Sequence, residues 1–148
     1  MTNLTDSIVL IGNGLNREGD VEFSVKEEGV PRALRPSLQD EVFCIAREAL
    51  TNAFEHSHAS SISVTIDYSS SYFRLSCFDN GRGVDPGTLE EGHAGHWGIQ
   101  GMRERAMHIG ARFENRSDRD AGTEIAILVP SARAYEKRSR WGRLRRHL

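Results

Sequence analysis

Residues 62–77, Ile62-Ser63-Val64-Thr65-Ile66-Asp67-Tyr68-Ser69-Ser70-Ser71-Tyr72-Phe73-Arg74-Leu75-Ser76-Cys77, decide the fold. Ile62, Val64, Ile66 and Tyr68 alternate with polar residues, and so do Phe73, Leu75 and Cys77. A period of two places each set on one face of a strand. The three serines between the sets suit a hairpin loop. Upstream, Ser37 after Pro36 is expected to start a helix, because Ser37-Leu38-Gln39-Asp40 reads as a capping box. Leu38, Val42, Ile45, Ala49 and Ala53 then recur at three- and four-residue steps, an apolar face that runs to about Glu55. Before that helix, Val21-Glu22-Phe23-Ser24-Val25 alternates as a strand.

Downstream, residues 80–97 are glycine-rich and read as a long loop. A second helix is expected from about Ile99 to His108, closed by Gly110. Phe113 falls in a short strand before a turn at residues 118–122. Ile125-Ala126-Ile127-Leu128-Val129 reads as a buried strand, which Pro130 ends. The predicted order is β-α-β-β-loop-α-β-β. Strand pairs joined by short loops favour an α+β fold with a mixed, mostly antiparallel sheet and helices packed on one face.

At 148 residues the chain suits one domain, able to bury ~70% of its unfolded surface. It contains no apolar run long enough for a membrane span, and residues 1–19 lack the order of a signal peptide. Cys44 and Cys77 are too few for a disulfide scaffold and fit a reducing cytoplasm. The net charge of −2 conceals a split. Residues 131–148 hold seven Lys or Arg against one Glu, while residues 1–130 hold twelve basic and twenty acidic groups. The expected organisation is a lead-in at 1–20 from a missing upstream region, a body at 21–130 and a basic tail at 131–148 lying largely outside the core.

Gly-rich segments raise the question of phosphate binding. A P-loop fails, because neither lysine, Lys26 or Lys137, follows a glycine. The dinucleotide pattern also fails: Arg17 and Pro86 occupy the places of the third glycine. Three other segments carry chemistry. In Glu48-Ala49-Leu50-Thr51-Asn52-Ala53-Phe54-Glu55-His56, four-residue spacing puts Glu48, Asn52 and His56 on one helix stripe, either a solvated face or an oxygen-rich edge suited to Mg²⁺. In Asp79-Asn80-Gly81-Arg82-Gly83, a carboxylate at a strand end can accept from an exocyclic amine, and the glycines allow close backbone approach. The same residues also make a plain turn. In Gly95-His96-Trp97-Gly98-Ile99-Gln100-Gly101-Met102-Arg103-Glu104-Arg105, glycines lead into a helix whose first amides can bind an anion. Glycine there costs ~1 kcal/mol each relative to alanine.

Taken in order, and with Gly122-Thr123 before the final strand, these motifs resemble the GHKL ATPase superfamily. Within it they resemble the catalytic ATP-binding domain of bacterial two-component sensor histidine kinases, most like the subfamily typified by nitrate and membrane-fluidity sensors. The resemblance covers about residues 20–130 and implies a Bergerat-type two-layer α/β sandwich that binds ATP and Mg²⁺. It implies that Asn52 coordinates Mg²⁺ and that Glu48 is a water-orienting or base-like residue. His56 would lie near the phosphates and Asp79 would accept the adenine amine, helped by Thr123. Gly81 and Gly83 would shape the adenine pocket, Gly98 and Gly101 would present backbone to the phosphates, and residues 84–97 would form a lid. Arg103 and Arg105 suit either phosphate contact or the helix surface, and His93 and His96 fit a lid better than a metal site.

None of the six histidines, at 56, 58, 93, 96, 108 and 147, is followed by an acid, and no second long amphipathic helix is present to build a dimer. The expected function is therefore γ-phosphoryl transfer to a histidine on a dimerisation domain absent from this chain, with a response regulator downstream. No nucleic-acid partner is expected, membrane contact would come only through an upstream anchor, and the isolated chain should be a monomer. The alternatives are an anti-sigma-factor-type serine kinase of the same fold and a non-catalytic nucleotide-binding module.

Overall fold

The computed structural model describes residues 3–82, 98–118 and 121–137. Among them the chain runs α1 (Leu4–Leu15), β1 (Glu22–Gly29), α2 (Pro36–His56), β2 (Ser61–Tyr68), β3 (Tyr72–Asp79), α3 (Ile99–His108), β4 (Arg112–Asp118), β5 (Gly122–Pro130) and α4 (Ser131–Ala134). The sheet order is β1-β2-β3-β5-β4. β1 and β2 are parallel, because α2 carries the chain back between them, and the other three pairs are antiparallel. This is the α+β sheet expected from the alternation around residues 62–77.

One face of the sheet takes the helices. Ile62, Val64 and Ile66 of β2, Phe73, Leu75 and Cys77 of β3, and Ile125, Ile127 and Val129 of β5 are buried there against Leu38, Val42, Ile45, Ala49 and Ala53 of α2. Each large side chain so buried contributes about 1.5–3 kcal/mol. The other face carries ion pairs such as Arg74–Glu124 at 3.4 Å and Arg116–Glu114 at 3.3 Å.

Four local expectations change. The capping box at Ser37 does not form: Arg35 is the N-cap of α2, without a side-chain cap, and Pro36 occupies the first turn. Proline needs no amide acceptor there and arrives with helical φ, so the N-cap falls at Arg35, two residues before the serine. Residues 1–20 are not a plain lead-in. They contain α1, started by Asn3, whose side chain accepts from the Asp6 amide at 2.8 Å. Leu4 and Ile8 are buried, and Gly12 is where the Phe23 ring packs, since a Cβ there would overlap it. A glycine that reads as a helix breaker is thus a packing site.

β1 continues to Gly29, well past Val25, because backbone pairing with β2 carries it on without apolar alternation. At the other end, residues 131–135 belong to the body. Ala134 and Tyr135 are buried, Leu34 and Tyr135 form a bridge, and the Tyr135 hydroxyl is shared between the carbonyls of Ser69 at 2.8 Å and Tyr72 at 2.9 Å. Residues 138–148, with most of the basic tail, lie outside the described residues. Among those described, no helix is long and apolar enough to cross a membrane.

Candidate functional site

β3 ends at Asp79, which the register places between Ile62 and Thr123 on the helix-facing side. Its side chain is only 5% exposed. The Gly81 amide donates to its Oδ1 at 2.9 Å, and the Thr123 amide and the Ser57 side chain lie close by. Burial pushes its pKa up from the ordinary carboxylate value, and these neighbours, the Gly81 amide first, pull it part of the way back.

The backbone around Asp79 is packed so closely that glycine is required. A Cβ on Gly81 would overlap the Ser57 carbonyl, and one on Gly122, whose φ is +88°, would overlap the carbonyl of Asp79 itself. The Thr123 and Ser117 hydroxyls meet at 2.8 Å, which extends a polar row across three strands.

Two residues that the sequence did not single out hold this end together. Ser57 caps α2: its hydroxyl donates to the Ala53 carbonyl at 2.5 Å, and its carbonyl accepts from the Arg82 amide at 3.0 Å. The Asn80 side-chain oxygen accepts from the Ser60 and Ser61 amides at 3.0 and 2.9 Å. The Asp-Asn-Gly signal foretold a turn, but not that its asparagine would tie two distant turns together. A lone serine after His56 gave no signal at all.

Glu48, Asn52 and His56 lie on α2 at four-residue steps. Asn52 is 8% exposed, while Glu48 and His56 are half-buried. Because Asn52 precedes Ser57 by five residues, it stands roughly 7.5 Å along the helix from the serine that serves Asp79. The Glu48 carboxylate abuts Gly98, where a Cβ would overlap it. Gly98 is the N-cap of α3 with φ +64° and no side-chain cap, so the first amides of α3 have no acceptor within the helix. A Cβ on Gly101 would meet nothing, so no packing among the described residues requires that glycine.

The structure therefore gathers Asp79, Gly81 and Thr123 at one point, and Glu48 with Gly98 at another, with α2 linking them through Asn52. His56 lies one turn further along, beside Glu55 at 3.9 Å. Gly83, the lid at 84–97, and His93 and His96 lie outside the described residues. Of the two arginines that follow, Arg103 lies over the Phe113 ring at 5.0 Å, and Arg105 pairs with Glu41 at 3.2 Å. Among the described residues no three His, Cys, Asp or Glu cluster to hold a metal.

Residues 37–133 match the family described as histidine kinase-, DNA gyrase B-, and HSP90-like ATPase. The chain belongs to that family. As such an ATPase domain it uses a nucleotide, and the glycines and buried carboxylate described above fall inside the matched region. It is similar to the sensor histidine kinase LiaS of Bacillus subtilis, 33% identical over 111 residues that make up 75% of this chain and 29% of LiaS. It is also similar to the sensor protein VraS of Staphylococcus epidermidis, 32% identical over 110 residues, 74% of this chain and 30% of VraS. The chain thus spans about three tenths of the length of these relatives.

Among solved structures, the blue-light activated histidine kinase EL346 of Erythrobacter litoralis aligns over 87% of this chain and 42% of its own, with TM-score 0.68 and 22% identity. The catalytic domain of the histidine kinase ThkA aligns over 86% of this chain and 90% of its own, with TM-score 0.68 and 13% identity. At those identities the likeness concerns the fold of this ATPase family.

Proposed function

We propose that the chain is the ATP-binding catalytic domain of a two-component sensor histidine kinase. It transfers the γ-phosphoryl group of ATP to a histidine on a dimerisation domain that lies outside this chain, for relay to a response regulator. The observation that carries this reading is the buried Asp79 carboxylate. It is held by backbone amides at a strand end and walled by glycines, a shape suited to a flat base bearing an exocyclic amine.

Asp79 accepts that amine, and the Thr123–Ser117 hydroxyl pair lines the same pocket. Gly81 lets the backbone close against the ring. Gly98 and Gly101 leave the first amides of α3 open to phosphate oxygens, where the helix dipole favours negative charge. Asn52 would hold Mg²⁺ through its side-chain oxygen, with His56 flanking the phosphates. Bound there, the cation would neutralise charge on the β- and γ-phosphates. Glu48, which lies against Gly98, would take the imidazole proton as the acceptor nitrogen forms its bond to phosphorus and the bond to the ADP oxygen breaks. The acidic body gives ATP no long-range attraction, so affinity rests on these local donors and the cation.

The test is to mix the chain with ATP and a separately produced dimerisation domain bearing the acceptor histidine. An acid-labile, base-stable phosphate should appear on that domain. Phosphoserine on a protein substrate, or no ATP binding, would overturn the proposal.

A further inference from the structure

On β4, Phe113, Asn115 and Ser117 share the helix-facing side. Ser117 extends the row Thr123–Asp79–Ile62, and Asn115 extends the next row, Ile125–Cys77–Val64. Every neighbour in that second row is a small or apolar core residue, yet Asn115 carries a carboxamide. Its Nδ2 and Oδ1 are both buried, and neither has a hydrogen-bond partner in the structure.

A buried amide left unpaired bears the full cost of its desolvation, and native proteins keep few of them. Leucine or isoleucine would fill this position at lower cost, as Ile125 does beside it. No described residue satisfies the amide as it stands, which leaves it available to a bound molecule.

Asn115 stands two strand spacings across and one same-face step along from Asp79, which puts their Cα atoms roughly 12 Å apart. An adenine 6-amine has two hydrogens that point to opposite sides, one toward N1 and one toward N7. Rotation about χ1 and χ2 of Asn115, a side chain without β-branching, turns its amide toward the Asp79 row.

We propose that Asn115 is a second base-reading residue of the nucleotide site. Its amide oxygen accepts one hydrogen of the adenine 6-amine and its amide nitrogen donates to N7, while Asp79 accepts the other hydrogen. Asparagine pairs with this same N6/N7 edge when proteins read adenine in DNA. Guanine offers two acceptors there and leaves the amide oxygen unmatched, so Asn115 adds to discrimination between the purines. The proposal rests on the reading of the site as an ATP pocket.

The test measures calorimetric affinity of the whole chain for ATP and 7-deaza-ATP, which lacks the N7 acceptor, in the parent and in Asn115→Leu. Thermal unfolding without nucleotide is measured alongside. The parent should bind 7-deaza-ATP at least five-fold more weakly than ATP. Asn115→Leu should lose at least five-fold in ATP affinity, no longer distinguish the two ligands, and unfold no earlier than the parent. Asn115→Asp, which keeps an acceptor but loses the donor, should likewise fail to distinguish them and guards against a leucine variant that misfolds. If Asn115→Leu binds ATP as tightly as the parent, or still prefers ATP to its 7-deaza analogue, the base-reading role is wrong while the ATP pocket stands. If the parent binds no ATP, both readings fall.

Discussion

Asp79→Asn keeps the volume of the side chain and removes a buried charge, so it separates the two jobs that this residue performs. In the native protein the Gly81 amide donates to the carboxylate at 2.9 Å, and the Thr123 amide also favours its charged form. An asparagine can keep its oxygen toward one of them, but its NH₂ must then face another donor. Losing one bond to a charged acceptor costs about 1.5–3 kcal/mol, offset by no longer burying the charge.

The pH dependence gives the sign of the balance. Because burial raises the folded pKa, the native state holds this proton to higher pH than the unfolded chain. Stability therefore falls as pH climbs from the unfolded carboxylate value, about 4, through the folded value, and stays lower above it. Asp79→Asn lacks that decline, so its melting temperature relative to the parent should improve as pH rises from 4 through the folded value and then level off.

Nucleotide binding moves the other way. Replacing a charged acceptor by a neutral one at the base amine should weaken ATP by about 1.5 kcal/mol or more, ten-fold or more in Kd. GTP presents a carbonyl where ATP presents the amine, so it is repelled by the carboxylate but can accept from the new NH₂, and the ATP-over-GTP preference should shrink. Calorimetric titration with both nucleotides and thermal unfolding from pH 4 to 8 measure each part. ATP affinity within two-fold of the parent, or a parent that binds GTP as well as ATP, would refute the reasoning.

Three further outcomes are expected. Asn52→Asp places a second carboxylate near the triphosphate and should cost at least about ten-fold in Mg²⁺-dependent ATP affinity, the size of a lost charge-assisted contact; a titration showing unchanged Mg·ATP binding would remove Asn52 from the cation's site. Gly122→Ala must hold a non-glycine residue at φ +88° and push against the Asp79 carbonyl. Left-handed strain and overpacking together predict a loss of about 2–4 kcal/mol in urea unfolding, and less than 1 kcal/mol would mean that the start of β5 yields freely. Burial, with the Asp79 charge adding to it, pushes the Cys77 thiol up to about 12, so at pH 8 a thiol reagent should titrate the half-buried Cys44 alone and reach Cys77 only on unfolding; two fast thiols would show that the sheet beneath Asp79 opens.

The sheet was legible because its signal is local and strong. Residues 62–77 alternate cleanly, and both strands and their loop fall where the alternation puts them. α3 ran from Ile99 to His108 as expected because Gly110, at φ +69°, gives its end an unambiguous mark. What escaped depends on partners remote in the chain. Gly12 in α1 makes sense only with the Phe23 ring against it, and Tyr135 only with Leu34 and the Ser69–Tyr72 turn across from it. At the site, Asp79 and Glu48 are chemically conspicuous types and stood out. Asn115 did not, because an asparagine in a strand carries no sign of burial until the facing rows are known.

The geometry also divides the site into two halves of different stiffness. The base half is tied from three directions: Gly81 to Asp79, Arg82 to Ser57, and Asn80 to Ser60 and Ser61. These bonds fasten the end of α2 to the end of β3, so Asp79 cannot shift without moving the helix that carries Asn52. The phosphate half hinges on Gly98, a left-handed N-cap without a side-chain bond, resting on the end of the Glu48 side chain. A carboxylate on a flexible stem yields where a backbone carbonyl does not. If the proposed function holds, rigidity falls where a base must be told from its isosteres and compliance where a phosphoryl group must be delivered and its product let go. Specificity needs fixed donors and acceptors, whereas turnover needs a wall that moves.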